Sequence, residues 1–167
     1  GANLGDDIMY SGTVAAAREA SHRGIAALAV SQAYDDSPIR FDKGAKFIRT
    51  LVTTMLEQRS DGGLCLNVNI PVRKIRGVKI TRQGCVLHFP HFNSLDRAGA
   101  MGSADLEIAE DQRKSDMPPD FQAIMDHYIS ITPLQRDQTD YAMADSLRKE
   151  AQRWFRRSWF FGLGLID

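Results

Sequence analysis

The feature that most constrains this chain is its first twenty residues, in which a glycine-containing loop leads into an alanine-rich helix. Ser11 is the predicted N-cap of that helix, because its hydroxyl can accept a hydrogen bond from a backbone N–H of the first turn. Gly12 lets another group approach the backbone closely, and Thr13 adds a second hydroxyl. Free N–H groups and the positive end of the helix dipole suit such a start to an anion. The Ser-Gly-Thr triplet alone favours a simple helix cap, and an anion site is the alternative.

Four apolar runs predict strands, at residues 25–31, 64–70, 77–82 and 128–132. The first is typical of a strand buried on both faces of a parallel sheet. In the second, aliphatic residues alternate with Cys65, Asn67 and Asn69, which therefore share one face. Asparagines in a central strand need hydrogen-bond partners, so we interpret these two as structural hydrogen bonders, with contact to a site as the alternative.

Two further helices are predicted from apolar residues spaced three or four apart. The helix over residues 39–58 has a buried face marked by Ala45, Ile48, Val52 and Met55. The last helix, capped by Thr139 or Asp140, has a buried face marked by Ala144, Leu147, Ala151 and Trp154. Strands that alternate with helices predict an α/β sheet with its ligand end at the carboxyl edge of the strands.

Composition excludes some classes of partner. The chain has 21 basic and 21 acidic residues, and its formal net charge of zero gives no general attraction to nucleic-acid polymers or anionic membranes. No apolar run approaches the roughly 20 residues that span a bilayer. The two cysteines, Cys65 and Cys85, lack the spacing of metal ligands, and idle thiols fit a reducing cytoplasm.

Three other features suggest ligands but have ordinary alternatives. Asp6 and Asp7 look like a metal pair, yet adjacent acids in a loop are more often solvated or capping. A proline separates His88 from His91 and argues against a helix that would align them, so an ordinary loop is favoured over a metal site. Tyr34 can stack on a base, although exposed loop tyrosines are common.

One string carries a family resemblance: Asn3-Leu-Gly-Asp-Asp-Ile-Met-Tyr-Ser-Gly-Thr-Val-Ala-Ala-Ala17. It closely resembles the active-site segment of the SurE family, whose members are metal-dependent phosphatases that act on nucleoside monophosphates. Residues 64–82 and 119–139 are similar to two later segments of the family. The chain departs from the pattern at His127, where the family usually has glycine, and at Gln135, where it often has histidine.

The resemblance implies a SurE-like, Rossmann-type three-layer α/β/α fold and a 5'-nucleotidase that hydrolyses nucleoside 5'- or 3'-monophosphates. Asn3, Ser11, Gly12 and Thr13 are the residues that it implies for phosphate binding. It also implies a divalent metal, Mg, Mn or Co, held by ligands upstream of this chain. Metal binding is therefore not transferred to the neighbouring aspartates, and no catalytic residue is assigned.

The resemblance further implies a single SurE-like domain over residues 1–167, with its first strands missing. A variable arm is expected at about residues 83–118, and a C-terminal helix and apolar tail at about 139–167. The expected partners are a nucleoside monophosphate and further copies of the chain in a homodimer or homotetramer. Without the metal loop, the chain alone is expected to be inactive. The alternative is a non-catalytic oligomerising or phosphate-binding fragment.

Overall fold

The computed structural model describes residues 1–35, 38, 40–57, 63–72, 74–87, 107–108 and 116–162. Helices and strands alternate, as the sequence predicts. In chain order they are a 3-10 helix at Gly5–Met9, α1 at Gly12–His22, β1 at Ala27–Gln32, α2 at Asp42–Glu57, β2 at Cys65–Ile70, β3 at Gly77–Ile80, β4 at Val86–Leu87, β5 at Glu107–Ile108, α3 at Asp120–Met125, β6 at Tyr128–Pro133 and α4 at Tyr141–Gly162. The chain divides into two units, Gly1–Leu134 and Gln135–Asp167.

The central sheet of the first unit has the strand order β1-β2-β6-β3. β1 and β2 run parallel, whereas β6 runs antiparallel to β2 and parallel to β3. Among the described strands of this sheet, β1 and β2 are therefore the two that bring their carboxyl ends to the edge where the ligand is expected. β1 is only partly buried, which contradicts the prediction of burial on both faces. The reason is its position at the border of the sheet within the described residues, with one paired neighbour instead of two.

The sheet separates two apolar clusters, which gives the predicted three-layer α/β/α architecture. On one face Ile8, Val14 and Ala17 of the N-terminal segment pack against Ala29 and Cys65. On the other face α2 packs against aliphatic residues of the sheet, among them Leu66, Val68, Ile129 and Ile131. The alternation predicted in β2 is confirmed, because Leu66 and Val68 face α2 while Cys65 faces α1.

The face of α2 that packs on the sheet is rotated slightly about the helix axis relative to the predicted face. Phe47, Ile48, Leu51 and Met55 pack on the sheet, while Ala45 and Val52 are exposed. The rotation follows from Gly44, which is buried so close to Ile70 that an added Cβ would lie 2.7 Å from the isoleucine Cδ1. The larger side chains on the glycine side of the helix consequently face the sheet.

The second unit consists of the connection after Leu134 and helix α4. Asp140 is the cap, because its Oδ1 accepts a hydrogen bond from the Met143 N–H at 2.9 Å. The predicted buried face is wrong, since Leu147 and Trp154 are 43% and 52% exposed. No other helix or strand is described in residues 135–162 that could cover them. Residues 163–167 of the apolar tail lie outside the described residues. None of the described helices is both long and apolar enough to cross a membrane.

His127 adopts a left-handed backbone conformation, with φ at +66° directly after α3. This is the position of glycine in many helix ends, because a Cβ is unfavourable there. We expect His127→Gly to raise the free energy of unfolding by about 1 kcal/mol, measured by urea denaturation. His127→Ala keeps a Cβ in the same conformation and is the control. Equal stability of the glycine and alanine variants would contradict the strain argument.

Candidate functional site

The start of α1 has the geometry of an anion site. Ser11 caps the helix in an extended conformation, and its Oγ accepts a hydrogen bond from the Val14 N–H at 3.2 Å. The predicted cap is therefore confirmed. Gly12 and Thr13 are exposed, and no protein atom lies within 4 Å of the position that a Cβ on Gly12 would occupy. The amides of the first turn have no carbonyl partner within the helix, so they are available to a ligand that approaches over Gly12.

Asn3 is held against the sheet by backbone hydrogen bonds. Its N–H donates to Asn69 Oδ1 at 2.7 Å, and its carbonyl accepts from Asn69 Nδ2 at 2.9 Å and from Asn67 Nδ2 at 2.8 Å. Both asparagines are fully buried. The interpretation of Asn67 and Asn69 as structural hydrogen bonders is thus confirmed. Their partner, which the sequence did not reveal, is the segment proposed to bind phosphate.

The side chain of Asn3 is also oriented by the protein. Its Nδ2 donates to Ser31 Oγ near the carboxyl end of β1. The amide oxygen has no hydrogen-bond partner among the described residues, so it can accept from a ligand or a bound water. Asn3 is therefore a fixed polar group at the carboxyl end of the two parallel strands.

α1 directs its N-terminus toward the same edge of the sheet. The Ser21 hydroxyl, near the end of α1, donates to the carbonyl of Gly63 just before β2 begins. A short connection then leads from α1 into β1, so the helix runs back against the direction of the strands. Its capped start at Ser11 therefore points to the edge at which Asn3 is anchored. The predicted phosphate-binding residues belong to one segment, of which the Asn3 end is fixed to β1 and β2 and the Ser11 end is directed to the same edge of the sheet.

Asp120 is the residue that the sequence interpretation missed. It is fully buried at the start of α3, and its carboxylate accepts from three backbone N–H groups: Gly5 at 2.9 Å, Gly84 at 3.1 Å and Phe121 at 2.8 Å. Burial raises the pKa of Asp120, and the N–H donors oppose that shift. The sequence signal at Asp120 is a Pro-Asp pair before an apolar helical pattern, which indicates the start of a helix. It does not reveal that the carboxylate bonds to Gly5, 115 residues away.

Gly5 links Asp120 to the segment that is predicted to bind phosphate. Its φ of +53° is a left-handed conformation that glycine adopts without strain, and it begins the 3-10 helix that leads to Ser11. Gln83 adds a weak contact of 3.4 Å from its Nε2 to Asp6 Oδ1. The segment is consequently fixed near Asn3 by β2, in the middle by Asp120, and near Ser11 by the packing of Ile8 and Val14.

The residues that the structure describes do not form a metal centre by themselves. No group of three histidine, cysteine or acidic side chains converges among them. The Asp6 carboxylate contacts the side chain of Gln83. His88 and His91 lie outside the described residues. Cys65 is buried under α1, and burial raises the pKa of its thiol, which fits the predicted idle thiol.

The chain matches known proteins over most of its length. A family model described as Survival protein SurE matches residues 1–88. A protein of Syntrophobacter fumaroxidans named 5'-nucleotidase SurE is 38% identical over 157 residues, which cover 89% of this chain and 60% of the relative. A protein of Escherichia coli named 5'/3'-nucleotidase SurE is 36% identical over 150 residues, which cover 87% of this chain and 57% of the relative.

A solved structure shares the fold. The SurE protein from Aquifex aeolicus is 32% identical and has a TM-score of 0.67, covering 89% of this chain and 61% of that one. The chain spans about 60% of the length of these relatives. The family model covers more than half of the chain and includes the whole capped segment around Ser11. The chain therefore belongs to the SurE family.

Proposed function

We propose that the protein is a phosphomonoesterase that hydrolyses nucleoside 5'- or 3'-monophosphates. The relatives named 5'-nucleotidase and 5'/3'-nucleotidase support the substrate class. The observation that carries the proposal for this chain is the exposed start of α1, where a capped helix presents backbone N–H groups to open space over Gly12. A phosphate monoester is the anion that fits both the helix start and the substrate class.

The roles of the residues follow from their positions. The amides of Gly12 and Thr13 donate to phosphoryl oxygens, and the Thr13 hydroxyl can donate a further hydrogen bond. Ser11 fixes the helix start through its cap, and its hydroxyl proton can be directed to the ligand while its oxygen accepts from Val14. Asn3 can orient the ester by donating the second hydrogen of its Nδ2, because the first is donated to Ser31 Oγ. These donors stabilise negative charge that increases on the phosphoryl oxygens in the transition state.

The proposal includes a divalent metal, Mg, Mn or Co, with ligands supplied from outside this chain. Such an ion activates water and neutralises charge on a phosphate. It also includes assembly into a homodimer or homotetramer, for which the exposed apolar residues of α4 such as Trp154 offer contact area. A phosphate-binding protein without turnover is the alternative. A phosphatase assay of the complete protein with p-nitrophenyl phosphate and manganese distinguishes the two, whereas the 167-residue chain alone is expected to show no turnover.

In the complete protein, we expect Ser11→Ala and Thr13→Val each to lower kcat/KM for a nucleoside monophosphate by roughly tenfold or more. The reason is the loss of a hydroxyl donor to the transition state. The measurement is steady-state hydrolysis with release of inorganic phosphate. Thr53→Val is a matched control, because Thr53 is exposed on α2 and bonds to a carbonyl of its own helix. Unchanged turnover in both site variants, with the fold intact, would argue against the phosphate site.

A further inference from the structure

A cavity of about 640 Å³ lies at the carboxyl ends of β1 and β2, beside the first turn of α2. Its volume falls within the roughly 300–1,000 Å³ typical of small-molecule sites. Among the described residues, its wall contains aliphatic side chains such as Ile70 and Ile75 and one aromatic ring, that of Tyr34. This is the edge of an α/β sheet at which ligands commonly bind.

The charges that line the cavity balance among the residues that the structure describes. Arg40 and Lys43 contribute two positive charges, and Asp35 and Asp42 contribute two negative ones. Such a lining does not favour a second phosphate, which would need a net positive surface. It suits a neutral group with an apolar face and polar edges, because the aliphatic wall and the Tyr34 ring offer contact area and the polar groups offer hydrogen bonds.

Tyr34 connects the cavity to the phosphate-binding segment. A Cβ placed on Gly1 would lie 3.1 Å from Cε1 of the Tyr34 ring, so the backbone of Gly1 packs against the ring that borders the cavity. The side chain of Ser31 holds Asn3, and the next residue, Gln32, is part of the cavity wall. The cavity and Asn3 therefore lie on opposite faces of the sheet, both beside the carboxyl end of β1.

We propose that this cavity binds the nucleoside part of the substrate, with the base stacked on Tyr34. The proposal rests on the proposed function, since it assigns the base and ribose of a nucleotide whose phosphate binds at the start of α1. A purine or pyrimidine has the apolar face and polar edges that the neutral lining favours, and aromatic stacking accepts any base.

The test uses adenosine, which lacks a phosphate, and the 167-residue chain. We expect adenosine to shift the amide NMR signals of residues around Ala33 and Gly44, two members of the cavity wall. Tyr34→Ala should weaken adenosine binding by about tenfold, and Tyr34→Phe should retain it because the ring remains. Tyr141→Ala removes an exposed tyrosine from α4 and is the control. No binding of adenosine, or equal binding by Tyr34→Ala, would overturn the proposal.

A second measurement separates this inference from the proposed function. Inorganic phosphate should shift the amide signals of Gly12 and Thr13 equally in the native chain and in Tyr34→Ala. In the complete protein, Tyr34→Ala should raise KM for adenosine monophosphate more than KM for glycerol 2-phosphate, an ester without a ring that could stack on Tyr34. If the native chain binds adenosine but phosphate does not bind at the start of α1, the proposed function is contradicted and the nucleoside site is not. Equal effects on both esters would contradict the nucleoside site alone.

Discussion

Asp120→Ala is expected to lower the free energy of unfolding by roughly 3–5 kcal/mol. The substitution leaves three buried backbone N–H groups, those of Gly5, Gly84 and Phe121, without their acceptor. Each unsatisfied buried donor costs about 1–3 kcal/mol, and these costs add only in part. Such a loss is a large fraction of the 5–15 kcal/mol by which a typical domain is stable. Urea denaturation followed by circular dichroism measures it.

A neighbouring aspartate provides the matched control. Asp126 follows the same helix and bonds to Lys79 and Gln122, but its side chain is 39% exposed and water can replace its partners. We expect Asp126→Ala to have a much smaller effect. Asp120→Asn tests the acceptor role more narrowly, because the amide directs N–H groups at one or more of the backbone donors. Stability of Asp120→Ala equal to that of Asp126→Ala would contradict the assigned role.

The second large effect is expected for Asn69→Leu. Asn69 exchanges two hydrogen bonds with the backbone of Asn3, and its removal leaves the partly buried Asn3 N–H without an acceptor. We expect a loss of about 2–3 kcal/mol in the free energy of unfolding. Hydrogen exchange should also become faster at the Asn3 amide than elsewhere in the sheet, because the segment is released locally.

Asn67→Leu is the internal comparison for this prediction. Asn67 donates only one hydrogen bond to Asn3, and its buried Oδ1 has no hydrogen-bond partner among the described residues. Replacing it removes an unsatisfied acceptor together with the donor, so its cost should be smaller than that of Asn69→Leu. The Asn3 N–H keeps its acceptor in this variant and its exchange should stay slow. The reverse order of stability would mean that Asn69 does not anchor the segment.

Much of the fold could be predicted from local patterns. The position of α1, the Ser11 cap and the alternating faces of β2 depend on neighbouring residues, and their spacing and capping chemistry are visible in the sequence. The antiparallel direction of β6 was not predictable in this way. An apolar run such as residues 128–132 has the same alternation in either direction, and only its pairing with β2 and β3 fixes it.

By itself, the sequence determined the helix start proposed to bind phosphate and, through the string from Asn3 to Ala17, the family. Only the tertiary structure decided how that segment is held. Asn69 and Asp120 lie 66 and 115 residues from their partners Asn3 and Gly5, and neither pairing leaves a local pattern. A buried polar side chain must find a hydrogen-bond partner, but its identity depends on which distant backbone groups the folded chain brings beside it.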